Sequence, residues 1–219
     1  TANVTNMERT FQSAIAFNQP LDNWNVGKVI NAGQMFQGAT VFNQNLNSWN
    51  TSNVIYMFGM FQSARAFNGD VSNWDVSKVQ SIFACFNSAI SFNKPLTNWN
   101  PKSVTGYVQP WEPVGKYYTP GQDGYQNMFS NATAFNQPIG HWDVSKIKNF
   151  SSMFSSAAAF NQDLSAWDVS GGLYFNGMFG STTSYNQPMN TWNVSNAVSF
   201  AYMFQNAIAF NQPINDWNV

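Results

Sequence analysis

Charge is scarce in this chain. Nine Lys and Arg and ten Asp and Glu make up 9% of its 219 residues, with a net charge of −1; ordinary soluble domains carry roughly 25%. No basic face for nucleic acid or anionic lipid can be assembled from so few cations, which excludes nucleic-acid partners. No run approaches the roughly 20 apolar residues of a membrane span, so this segment is not expected to insert into a bilayer. Cys85 is the only cysteine and His141 the only histidine. One thiol gives neither a disulfide framework nor a thiolate metal site. One His and one Cys furnish no nucleophile–base constellation, so no catalytic residue, cofactor or metal is expected and the chain reads as non-enzymatic.

Aromatic and amide side chains are what the sequence has instead. Aromatics reach 17%, enough to build a packed core rather than a disordered chain. Eight tryptophans recur in step: Trp24, Trp49, Trp74 and Trp99, then Trp142, Trp167, Trp192 and Trp217. The spacing is 25 residues within each group and 43 between them, which is 25 plus an 18-residue insertion. Such a period marks stacked-repeat architecture, in which each unit buries its apolar face against its neighbours.

Alignment on tryptophan gives the unit Met-Phe-x-x-Ala-x-x-Phe-Asn-Gln-Pro-Leu-x-x-Trp-Asn-Val-Ser-x-Val. Leu21-x-x-Trp24-x-Val26, Val71-x-x-Trp74-x-Val76 and Ile214-x-x-Trp217-x-Val219 copy the spacing of the leucine-rich-repeat strand. Val54, Met57, Phe61 and Ala64 recur at intervals of three, four and three, a helical stripe. Ser52, Ser77, Ser145, Ser170 and Ser195 precede that run, where an oxygen can cap a helix. The predicted fold is therefore α/β: a right-handed leucine-rich-repeat-like solenoid of about eight to nine coils, one parallel strand and one short helix per coil. Residues 1–105 and 125–219 form its two halves around an insertion at 106–124.

The tryptophans fall in the inward phase of the strand pattern and are expected to form one continuous buried stack. A second invariant column holds Asn18, Asn43, Asn68, Asn93, Asn136, Asn161, Asn186 and Asn211. Its favoured reading is a buried ladder of carboxamides bonded from coil to coil; a ligand-binding row is the alternative. Asp75, Asp143 and Asp168 follow tryptophan and, with Asp70 and Asp163, could supply oxygens to calcium. Scattered acids do not make the cage of six to eight ligands that calcium needs, and solvated positions are favoured. Cys85 shares a column with methionines and reads as a small buried hydrophobe; His141 sits in a variable polar column and reads as solvated.

Five Asn-x-Ser/Thr triplets are candidate glycosylation sites: Asn3, Asn50, Asn131, Asn149 and Asn193. The insertion carries Tyr107, Trp111, Tyr117 and Tyr118 among prolines and glycines. Those aromatics are the candidate contact patch for a sugar ring or protein partner; a mini-core folded back on its own coil is the alternative.

The columns resemble the BspA-like leucine-rich-repeat surface proteins, in particular the mycoplasma lipoprotein-associated repeat. Residues 35–44, 153–162 and 203–212 carry Met-Phe-x-x-Ala-x-x-Phe-Asn-Gln, and residues 74–79 carry Trp-Asp-Val-Ser-Lys-Val. The resemblance implies a secreted or cell-surface protein with an adhesive or matrix role and brings no catalytic residues. The expected function is a non-enzymatic extracellular structural or adhesive module, with a carbohydrate-binding module using the insertion as the alternative. Expected partners are other repeat modules of the same or identical chains, end to end, and surface glycans or matrix proteins. Val219 and Thr1 would together complete a normal coil, which leads to the expectation of a window in a longer array, or of a head-to-tail fibre.

Overall fold

A computed structural model describes residues 1–104 and 124–219. Equivalent residues of successive units lie against one another, so the described residues form a stack of eight coils: 1–25, 26–50, 51–75, 76–100, 101–104 with 124–143, 144–168, 169–193 and 194–218. The coils are not built from a strand and a helix. Among the described residues there is no helix and no multi-residue strand, only isolated parallel bridges along Asn6, Asn31, Tyr56 and Ser81 and along Asn149, Tyr174 and Ser199. The expected α/β solenoid of the leucine-rich-repeat type is thereby overturned.

The predicted strand fails because two turn-forming residues sit between its apolar positions. Asp22-Asn23, Asn47-Ser48 and Ser72-Asn73 each bend the chain, and the amides of Trp24, Trp49 and Trp74 close on the carbonyls of Leu21, Leu46 and Val71 at 3.0–3.1 Å. The predicted helix fails for a related reason. Met60, Gln62 and Ala64 donate to the carbonyls three residues back, on Met57, Gly59 and Phe61, at 3.0–3.3 Å. The intervening amides of Met57, Gly59, Phe61 and Ser63 donate instead to Ser81, Phe83, Cys85 and Asn87 of the next coil, at 2.7–2.9 Å. A helix closes all its amides within one segment; here alternate amides stitch neighbouring coils together. Gly59 and Ser63 take positive φ, 53° and 58°, as the third corner of a type II turn demands. Successive three-residue turns also return a side chain to the same face every three to four residues. Val54, Met57, Phe61 and Ala64 are therefore all buried without any helix.

The core is a set of aromatic rows running coil to coil. One row, Phe11, Phe36, Phe61, Phe86, Phe129, Phe154, Phe179 and Phe204, stacks at centroid separations of 5.4–5.9 Å. A second runs from Phe17 through Tyr185 to Phe210 at 5.8–6.2 Å. Parallel, offset rings at such spacing add to the area they bury. Met35, Met60, Met128, Met153, Met178 and Met203 fill the space beside them, with Cys85 in the same buried row.

Candidate functional site

Trp49, Trp74, Trp99, Trp142, Trp167 and Trp192 are at most 5% exposed, while Trp24 and Trp217, in the terminal coils, are partly buried. Trp49, Trp74 and Trp99 stack at 6.1 Å, and Trp167, Trp192 and Trp217 at 6.3–6.5 Å. Six of the indole N–H groups donate to the carbonyl at the head of the preceding coil's Leu-x-x-Trp turn, for example Trp74 Nε1 to Leu46 at 2.8 Å. Trp142, the first tryptophan after the insertion, is buried with its Nε1 unpartnered. Next to it, His141 Nε2 bonds the Trp99 carbonyl at 3.0 Å, and Tyr125 meets the Trp142 ring edge-on at 63°.

The asparagine column bonds along its whole length. Each Oδ1 from Asn18 to Asn186 accepts the backbone N–H of the next Asn, up to Asn211, at 2.7–3.0 Å. The ladder is expected inside; the structure places all eight residues at the surface, half-buried or exposed. The reason is that the ladder satisfies backbone amides at a coil corner, where water is near. Gln44, Gln137, Gln162, Gln187 and Gln212 add their Nε2 groups to the same Oδ1 atoms at 2.8–3.1 Å, a role that sequence analysis does not assign to them.

The column after tryptophan makes a second polar edge. Asn50, Asp75, Asp143, Asp168 and Asn193 each accept, through Oδ1, the N–H of the serine two residues on, at 2.9–3.2 Å. These are Asx turns. The serines expected to cap helices are the donors that close them. Asp75, Asp143 and Asp168 titrate below the ordinary carboxyl value, held there by the hydroxyl and then the amide of Ser77, Ser145 and Ser170. Asp70 and Asp163 likewise accept, through Oδ1, the backbone N–H of Ser72 and Ser165 at 2.9 and 2.8 Å. Among the described residues no three His, Cys, Asp or Glu groups come together as metal ligands. Cys85 is fully buried, and burial drives its thiol far above its usual range.

The insertion aromatics Tyr107, Trp111, Tyr117 and Tyr118 lie outside the described residues. Its far boundary shifts by one: Gly124 occupies the column of Ser81 and Asn149, at a φ of 74°. A Cβ there would come within 2.7 Å of the Asn149 carbonyl. Gly124 therefore belongs to the stack.

Residues 1–99, 49–112 and 123–219 match a family described as Mycoplasma protein of unknown function, DUF285. The chain belongs to this family. No curated protein and no solved structure matches it. The three DUF285 matches run over both halves of the stack, in keeping with repetition of one unit. Among the described residues, no helix is long and apolar enough to cross a membrane.

Proposed function

We propose that this segment is a non-enzymatic structural or adhesive module, displayed outside the cell. The observation that carries the proposal is the continuity of its rows. The Phe rings and the asparagine ladder run from the first coil to the last and pass the insertion without a gap. The Asn and Gln side chains of the ladder, which a binding row would direct at a ligand, are engaged in bonds between coils. That is the economy of a spacer, whose useful property is length and a repeated outer surface. Other repeat units of the same or an identical chain, stacked end to end, are its proposed partners, with surface glycans or matrix proteins beyond them. The affiliation with BspA-like surface proteins belongs to this proposal; the Met-Phe-x-x-Ala-x-x-Phe-Asn-Gln columns support it.

Labelling intact producer cells with an antibody to this segment tests the reading. Label before permeabilisation, and reduced attachment to matrix- or glycan-coated surfaces when the antibody is present, are the expected results. Label only after permeabilisation would refute it. A carbohydrate-binding role is the second reading, favoured by the four aromatics between Gly106 and Asp123. It requires glycan-array binding that disappears when residues 106–123 are removed.

A further inference from the structure

The structure sorts the five Asn-x-Ser/Thr triplets into unlike classes. Asn149 is 4% exposed, and its Oδ1 accepts the Ser151 amide in the interior. Asn3 is exposed, but its Oδ1 takes the Lys28 ammonium at 2.9 Å. Asn131 has a φ of 57°, and its Nδ2 leans on Ser130 Oγ at 3.5 Å. Asn50 and Asn193 differ from all three and match each other. Both are exposed, in the column after tryptophan. In each, Oδ1 accepts both the amide and the hydroxyl of the sequon serine: Ser52 at 3.2 and 2.8 Å, Ser195 at 3.2 and 2.9 Å. Among the described residues, no acceptor takes the Nδ2 of either.

We infer that Asn50 and Asn193 are attachment points for N-linked oligosaccharide. The column's structural task falls on Oδ1 alone, because Asp75, Asp143 and Asp168 perform it with no amide nitrogen at all. A sugar on Nδ2 therefore leaves the turn and the stack unchanged. In the transfer, one N–H bond of the side-chain amide breaks and a bond from nitrogen to the anomeric carbon forms. The sugar arrives on a lipid pyrophosphate, which leaves with the bonding electron pair, and the amide proton passes to a base of the transferring enzyme. At Asn149 the same product would have to be buried, so a chain carrying it cannot close its coils. Asn50 and Asn193 share one edge of the stack, so both glycans would clothe that edge and leave the asparagine-ladder corner bare.

The inference rests on the outward destination proposed above. Its test supplies that route itself, so that failure bears on the sites and not on natural location. The 219-residue chain is given a secretion signal in a glycosylating eukaryotic cell, and both secreted and retained protein are digested with peptide N-glycosidase in heavy-oxygen water. Heavy oxygen at positions 50 and 193, none at 149, and an unchanged melting curve after deglycosylation are expected. Ser52→Ala should abolish the label at Asn50 alone, and Ser52→Thr should keep it. Asn50→Asp should fold like the parent and lose that glycan. Occupied Asn149 in folded protein, or a bare Asn50 or Asn193, overturns the inference.

Discussion

The amide of Asn136 donates to Oδ1 of Asn93 at 2.9 Å although 43 residues separate them, the same bond that Asn68 gives to Asn43 across 25. Phe86 and Phe129 likewise stack at 5.6 Å, and the Phe86 amide reaches the Met128 carbonyl at 2.9 Å. These contacts close the stack across the point where the insertion leaves it.

Excising residues 106–123 should therefore give a folded protein. It joins Thr105 to Gly124 and restores the 25-residue step. Removing Gly124 as well shifts every later column by one place. Cooperative thermal unfolding by near-UV circular dichroism should survive the first deletion and be lost or strongly broadened in the second. Equal behaviour of the two would assign the insertion a different role.

Trp74→Phe and Trp142→Phe remove similar volume but unequal hydrogen bonds. Trp74 gives up its bond to Leu46 and leaves that buried carbonyl with the Trp49 amide alone, which should add about 1 kcal/mol to the cost. Trp142 has an orphan N–H to lose, so its replacement should be the milder of the two. Trp74→Ala, which also opens a cavity, should cost about 3–5 kcal/mol. Urea denaturation midpoints order the three; a Trp142→Phe variant less stable than Trp74→Phe contradicts the assignment.

Backbone conformation at the coil corners gives a prediction of opposite sign. Ser63 holds a φ of 58° and its column-mate Gly38 one of 69°. A side chain in the left-handed region costs roughly 1–2 kcal/mol. Ser63→Gly should stabilise the protein by about 1 kcal/mol. Gly38→Ala should destabilise it comparably, since a Cβ there meets nothing nearer than 3.5 Å and only the dihedral is penalised. Differential scanning calorimetry reads both shifts.

The Asx turns predict an acid limb. Asp75, Asp143 and Asp168 titrate below their ordinary value of 3.8, so the folded state binds protons less readily than the unfolded one. Their contribution is complete above the unfolded value and disappears as pH falls through the folded ones. These groups are largely exposed, and solvent screening keeps each effect small. Stability should be level above about pH 5 and decline toward pH 3. Asp143→Asn should keep the turn, as Asn50 and Asn193 do, and flatten its share of the decline. An unaltered acid slope in the triple Asn variant would show that other groups control it.

The sequence carries column membership well, because identical residues stack on themselves: the Trp, Phe and Asn rows can all be read by counting. Backbone path is harder to read, since a three–four spacing is common to a helix and to a succession of tight turns. Val54, Met57, Phe61 and Ala64 satisfy both. A discriminating signal does exist in Gly59 and Ser63, four apart, and in Gly38, Asn127 and Gly177 at equivalent places, since such residues are poor helix formers and suit positive φ. Similarly, Asp75-Val76-Ser77 reads as a turn once the side chain is treated as a backbone substitute. The Leu-x-x-Trp spacing, matched to a strand by its intervals alone, hides the polar pair that bends it.

Stitching by alternate amides makes length a free variable. Each coil offers its successor the same amides, the same asparagine oxygen and the same ring faces that it received from its predecessor. Duplicating 25 residues anywhere within either half would set familiar neighbours against one another, and removing 25 would do the same. A gene coding for such a protein can thus lengthen or shorten by slippage between its own near-identical stretches, with each product already able to fold. Reach, and not the shape of any one surface, would be what varies most readily among its descendants.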